Sequence, residues 1–417
     1  LRDYGGAANE YTAVRNYSTD DQYKEKSSFG VVSALQAKLK STDKKYYTKE
    51  IKPLLSKSGN LILANNLGEL EKSLVDSCNK YEELNPTGYR LDEVSYMKSE
   101  VYFRNNRFDD AVVGYKNIVN KYPNSKFYGD SIRNLISIYN YKKDYKEVEY
   151  WSNKLLSSKN IATSSYNSEE IKSLMTGSVF KSAQKLESEG KSVAAADEYV
   201  RLAKQYPKSE YSDAALYNAG VIYEKTGKYK SASSVYGTML SKYPRSKYSA
   251  DAMFRLAVSL EQDLNFNKAL YYYELLIKKH PASKYVSDSH YNSYRIRRSK
   301  DEYVKAAEHL VVYSASRTNI RERSNALMQA AWLYEKSKKD KNAISIYSSY
   351  AERNKTDLDG VMESYVKTAR IYEKAGNISQ AMTFYNKAIN LFKSSKGIND
   401  TVASDYNAEA KFKVLNK

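Results

Sequence analysis

Residues able to do covalent or metal chemistry are few in this chain. Histidine occurs three times, as His280, His290 and His309, and cysteine once, as Cys78. No histidine pairs with another at ligand spacing and no Cys-x-x-Cys is present, so no protein-built zinc site is expected. A single cysteine permits no internal disulfide, and the place of Cys78 on an apolar helix face predicts a buried structural thiol. There is no Gly-x-Ser-x-Gly elbow for a nucleophilic serine and no glycine-rich phosphate loop. Lys225-Thr226-Gly227-Lys228 reads instead as the turn of a helical hairpin, as do Glu189-Gly190-Lys191 and Ala375-Gly376-Asn377. Neither an enzyme nor a cofactor is expected. The chemistry that remains is recognition.

Two side-chain series could supply it. Tyr96, Phe180, Tyr217, Phe254 and Tyr291, with Arg133, Met328 and Val366 completing the set, hold one repeated position. Large stiff rings of this kind dominate binding energies where a partner covers them; packing between neighbouring helices is the rival use. The second series is basic: Lys121, Lys126, Lys204, Lys208, Lys242, Arg245, Lys247, Lys278, Lys279 and Lys284. Each is accounted for singly by the helix dipole, at about 0.3–1 kcal/mol. Stacked, they would form a basic edge able to meet nucleic acid, lipid headgroups or an acidic protein.

The positioning elements are marked by proline. Lys121-Tyr122-Pro123, Gln205-Tyr206-Pro207, Lys242-Tyr243-Pro244 and Lys279-His280-Pro281 open near-identical loops, and Pro207, Pro244 and Pro281 stand 37 residues apart. A fixed period of this size signals stacked repeats. Between two prolines, Leu216, Ala219, Gly220 and Tyr223 mark one amphipathic helix, and Ala232, Tyr236, Met239 and Leu240 a second. Gly227 suits the left-handed position that ends the first, Pro244 stops the second, and Ser246 is expected to cap the next. A small residue recurs early in the second helix, as Ala111, Ala195, Ala232, Ala269, Ala306, Ala343 and Ala381, four residues before a ring in most copies.

This pattern, small-x-x-Tyr in the first helix, then Ala-x-x-x-aromatic, then Pro, resembles the tetratricopeptide repeat over eight copies from about Leu91 to Lys393. The resemblance implies an all-α fold, an α-solenoid of stacked helix-turn-helix repeats forming a right-handed superhelix. Tyr294 and Arg297 depart from the pattern. The expected organisation is a poorly ordered segment over 1–27 and a divergent helical cap or degenerate repeats over 28–90. Two repeats follow over 91–158, then an irregular insertion or hinge over 159–170. Six repeats fill 171–393, and a capping helix closes the chain over 394–417.

In that family the first helices line a concave groove for peptides. The resemblance places Phe180, Tyr217, Val221, Phe254, Val258, Tyr291, Met328 and Trp332 on it, with Tyr217 and Phe254 as central anchors. Glu187, Glu224, Glu261, Glu335 and Glu373, interrupted by Arg298, would form an acidic rail beside the rings. The loops look like those of tetratricopeptide proteins at bacterial outer membranes, including the β-barrel assembly and Tol–Pal machineries. That implies a periplasmic or outer-membrane-associated scaffold or adaptor whose partners are proteins of an envelope complex. The rival function is a polyanion or nucleic-acid binder using the basic edge at Lys204, Lys208, Lys242, Arg245, Lys247, Lys278, Lys279 and Lys284.

Composition agrees with an extended, polar molecule. The net charge is +18 and the mean hydropathy −0.71. The excess of positive charge is +4 over residues 1–174 and +14 over 175–417, making the C-terminal part the expected contact for an anionic surface. No apolar run of transmembrane length is present. The chain opens on Leu1, not Met, and is expected to be a mature or trimmed form.

Overall fold

The computed structural model describes residues 3–43, 46, 64–158, 167–394 and 401–416, and these contain twenty α-helices packed in sequential pairs. They fall into two compact units, residues 1–215 and 216–417. The first holds α1 (Tyr4–Tyr17), α2 (Asp21–Thr42), α3 (Glu69–Leu84), α4 (Leu91–Arg104), α5 (Phe108–Lys121), α6 (Tyr128–Tyr141), α7 (Tyr145–Leu156), α8 (Ser168–Ser188) and α9 (Ser192–Gln205). The unit boundary falls inside α10 (Ser212–Lys225). The second unit continues with α11 (Tyr229–Lys242), α12 (Ser249–Gln262), α13 (Phe266–Lys279), α14 (Val286–Ser299), α15 (Tyr303–Ala315), α16 (Ile320–Lys336) and α17 (Asp340–Arg353). It closes with α18 (Leu358–Lys374), α19 (Ile378–Ser394) and α20 (Thr401–Leu415). The fold is all-α, and the eight hairpins from α4/α5 to α18/α19 are the eight repeats.

Each hairpin turns by the same backbone device. At Gly227, φ is +73°, the amide of Gly227 bonds the carbonyl of Glu224 at 3.0 Å, and that of Lys228 bonds Tyr223 at 2.8 Å. This pair of bonds satisfies carbonyls that the helix end would leave open. Asn106, Lys143, Gly190, Leu264, Asp301, Lys338 and Gly376 occupy the equivalent left-handed position in the other seven hairpins. Only three of the eight are glycine, so the turn is imposed by the packing of the two helices it joins.

Small residues let those helices close on each other. Ala111, Ala195, Ala232, Ala269, Ala306, Ala343 and Ala381 are all fully buried, as are Tyr115, Tyr199, Tyr236, Tyr273 and Tyr385 four residues on. A Cβ at Gly220 would overlap the ring of Tyr236. The proline loop differs in one respect from expectation. Ser246 Oγ accepts from the amide of Tyr248 at 3.1 Å, tightening the loop, while α12 begins after Tyr248. Ser125, Ser209 and Ser283 do the same for Phe127, Tyr211 and Tyr285.

Where the sequence pattern is weak, capping carboxylates supply the helices. The stretch 1–27, expected to be poorly ordered, carries α1 and the start of α2. Asp3 caps α1 through the amide of Gly6, and Asp20 caps α2 through those of Gln22 and Tyr23. The absent side chain of Gly30 lets the ring of Tyr11 lie against α2. The expected irregular segment 159–170 ends sooner than its bound: Asn167 caps α8, and residues 168–170 are its first turn. Residues 159–166 lie outside the described residues. At the other end α20 packs on α18 and α19, tied by ion pairs from Arg370 to Glu409 and from Lys413 to Glu373.

Candidate functional site

The rings of the first helices are seated in a repeated three-ring cluster. In the second unit Tyr217 stacks on Tyr248 of the following loop, centroids 4.7 Å apart and planes 15° from parallel, and leans on Tyr236 of α11 at 6.2 Å. Its hydroxyl donates to Asp251 in the first turn of α12 at 2.9 Å. Phe254 repeats the arrangement with Tyr285 at 4.6 Å and 12°, and with Tyr273 at 5.8 Å. In the first unit Tyr96 meets Phe127 and Tyr115, and Phe180 meets Tyr211 and Tyr199. The spacings are the same throughout, 19 residues to the second-helix ring and 31 to the loop ring. Stacked rings of this kind contribute about 0.5–1.5 kcal/mol beyond their burial. Phe180, Tyr217 and Phe254 are therefore half-buried joints between successive hairpins, and Val221 and Val258 lie half-buried beside them.

The stacking stops at Tyr291. Residue 322, where its loop ring would stand, is glutamate, and Tyr291 turns to Tyr313 at 4.9 Å. Tyr291 stays 40% exposed and Trp332 38% exposed. Between α14, α16, α17 and α18 an open cleft of about 370 Å³ is lined by Tyr294, Arg298, Met328, Trp332, Tyr347 and Lys367, among others. The guanidinium of Arg298 lies 5.8 Å from the Trp332 ring and donates to the Tyr294 hydroxyl at 2.9 Å; Lys336 lies 5.4 Å over the same ring. Met328 is half-buried and accepts a weak bond from Ser364. Aromatic, thioether and cationic groups thus meet at one accessible place.

The glutamate series is largely consumed by the stack. Glu224 accepts from the Tyr236 hydroxyl at 3.2 Å and from Arg255 at 3.1 Å. Glu261 accepts from Tyr273 at 3.0 Å and pairs with Arg295 at 3.3 Å, while Glu373 accepts from Tyr385 and from Lys413, both at 2.9 Å. Burial, then the adjacent carboxylate, drives the phenols of Tyr236 and Tyr273 well above their ordinary range. Glu187 is exposed. Glu335 pairs through one oxygen with Lys374 at 3.4 Å; its other oxygen is buried with no hydrogen-bond partner among the described residues. Where Glu224, Glu261 and Glu373 are paired with cations, the rail offers a partner little net negative charge.

The basic edge is solvent-facing. Lys204, Lys208, Lys242, Arg245, Lys247, Lys278, Lys279 and Lys284 are all exposed, and none forms an ion pair among the described residues. Two of them also act locally. Lys247 lies 5.1 Å from the centroid of Tyr248 and Lys284 5.0 Å from that of Tyr285, covering the loop rings.

Sequence spacing missed one meeting. His290 and His309 approach to 2.9 Å between Nδ1 atoms. Their separation of 19 residues equals that of the ring pairs, which is the signal that could have found them. Among the described residues no group of three or more His, Cys, Asp or Glu could hold a metal ion. Cys78 is fully buried, and that burial pushes its thiol up to about 12. No described helix is long and apolar enough to cross a membrane.

Comparison with known proteins bears on the architecture. No curated protein matches the chain. Among solved structures, PilW, titled a widely conserved type IV pilus biogenesis factor, is 15% identical with a TM-score of 0.30, covering 57% of this chain and 99% of its own. The TPR2AB domain of yeast Sti1 in complex with a pHSP90 is 16% identical with a TM-score of 0.33, covering 64% and 92%. MamA from Desulfovibrio magneticus RS-1 is 14% identical with a TM-score of 0.27, covering 53% and 97%. The family profile described as tetratricopeptide repeat matches residues 93–125, 214–246, 251–283 and 363–395. Four segments of the chain thus match the tetratricopeptide repeat by sequence, and they are set among further helix pairs.

Proposed function

We propose that this chain is a non-catalytic scaffold that docks a segment of a partner protein on the first-helix face of the 216–417 unit. The observation that carries the reading is the open cleft at Met328 and Trp332, beside Arg298 and Lys367, where the ring stacking of neighbouring repeats is missing. Trp and Arg are the residue types that most often dominate interface energies. Tyr217 and Phe254 serve the stack first, so the centre of recognition shifts towards Tyr291 and Trp332. The partner is a protein of a bacterial envelope complex; the likeness of the Tyr-Pro-x-Ser-x-Tyr loops is what supports that setting.

The test is capture of partners from native envelope and cytosolic fractions by wild type and by a Met328→Ala, Trp332→Ala double variant. The double variant should lose most of the captured protein while its circular dichroism stays unchanged. Equal capture by both would sink the cleft reading.

The exposed basic residues from Lys204 to Lys284, unpaired among the described residues, favour a second reading, an anionic partner on the basic edge. It predicts a steep loss of affinity with salt and loss of binding in a Lys242→Glu, Arg245→Glu, Lys247→Glu variant. A protein docked in the cleft is expected to respond weakly to both.

A further inference from the structure

The two histidines that touch lie in the repeat that departs furthest from the pattern. His290 on α14 and His309 on α15 share a contact of 2.9 Å between Nδ1 atoms, and Nε2 of His309 lies 3.1 Å from Glu274 Oε1 on α13. Arg297 stands where the other repeats carry tyrosine or leucine. Its Nε donates to the same Glu274 oxygen at 2.7 Å, and its Nη1 reaches Glu302 at the head of α15. The charged groups facing the pair are therefore Glu274 from α13, Arg297 from α14 and, through Arg297, Glu302. From α16, Ala326, Ala330 and Ala331 pack in the same apolar cluster as Tyr294 and Leu310 of this hairpin, and Gln329 accepts from the Tyr294 hydroxyl at 3.0 Å.

Partner chemistry fixes the hydrogens. Nε2 of His309 carries one, donated to the carboxylate, and a single hydrogen occupies the contact between the two Nδ1 atoms. The pair tolerates one added proton, because one ring still donates and the other accepts. A second would set two N–H groups head to head and two cations together, beside Arg297 and in a largely buried place.

We propose that His290 and His309 form an acid-sensitive latch that ties α14 to α15, and both to α13, until a second proton parts them and loosens this repeat. The adjoining face of α14 carries Tyr291 and Arg298, so opening would alter the surface next to the cleft. Burial, then the charge of His309, holds His290 down to about 4. A histidine freed from the contact protonates near its ordinary value of about 6.5. Between these values the open form binds more protons than the closed one, so acidification favours opening by up to about tenfold per pH unit.

Hydrogen exchange read by mass spectrometry on the full chain tests this, between about pH 7 and about pH 5 and corrected for the intrinsic pH dependence of amide exchange. Amides of α14 and α15 should lose protection by about tenfold or more relative to the α18/α19 hairpin, which has no histidine. His290→Gln, whose amide can still meet His309, should abolish the acid response, and so should His309→Gln. Equal behaviour of the two hairpins, or a response surviving in both variants, would overturn the latch. Should neither variant fold, imidazole titration of the wild type by NMR decides: two coupled steps support the latch, and two independent ordinary titrations refute it.

Discussion

Phe254 and Tyr285 stack face to face, centroids 4.6 Å apart and planes 12° from parallel, joining the first helix of one repeat to the loop that opens the next. Lys284 covers the ring of Tyr285, and Tyr273 closes the other side of Phe254. The ring a sequence reader would offer to a partner is thus a joint of the stack.

Truncating that joint should destabilise the chain. Phe254→Ala is expected to cost about 2–4 kcal/mol in urea unfolding, below a fully buried phenylalanine because the ring is half-exposed. A double-mutant cycle with Tyr285→Ala should return a coupling of about 0.5–1.5 kcal/mol. Additive effects would mean that the rings touch without supporting each other.

Leu264 holds a left-handed turn at φ +60° with its side chain 75% exposed, where three other repeats use glycine. Leu264→Gly should therefore stabilise by about 0.5–1 kcal/mol, because relief of the strained backbone outweighs the extra freedom of the unfolded chain. A lower melting temperature in the variant would show that the exposed leucine is making a contact of its own.

Alkali should unfold the chain in a defined sense. Tyr236, Tyr273 and Tyr385 are buried against Glu224, Glu261 and Glu373, and desolvation followed by those carboxylates raises each above the ordinary phenol value. The unfolded chain releases these protons near pH 10 while the folded chain keeps them, so stability is intact below about pH 10 and falls above it. Each shifted phenol contributes a slope of up to about 1.4 kcal/mol per pH unit. Tyrosinate absorbance should rise in two phases, the second coincident with loss of helical signal. A single phase before any unfolding would contradict the burial.

Cys78 should be silent towards thiol reagents. Burial favours its neutral form and excludes reagent, so labelling is expected to follow unfolding and to accelerate with urea at the rate of opening. Rapid labelling of the native chain would place α3 outside the core.

Much of this molecule was legible as a repeat. The alanine series, the proline period and the glycine turns determined the hairpins and their order, because each is a local constraint: a close helix contact, a stop, a left-handed residue. Periodicity could not show that 19 and 31 are contact distances, so it left open whether Phe180, Tyr217 and Phe254 serve a partner or the stack. Nor could it say that Glu224 and Glu261 answer to buried phenols and to arginines of the next repeat. Helix α1 and the start of α2 were missed because capping aspartates, not an apolar stripe, announce them. The open cleft at Trp332 and the meeting of His290 with His309 were decided by tertiary structure alone. Both arise where one repeat fails to supply the side chain its neighbour expects, and such a gap exists only once the helices are stacked.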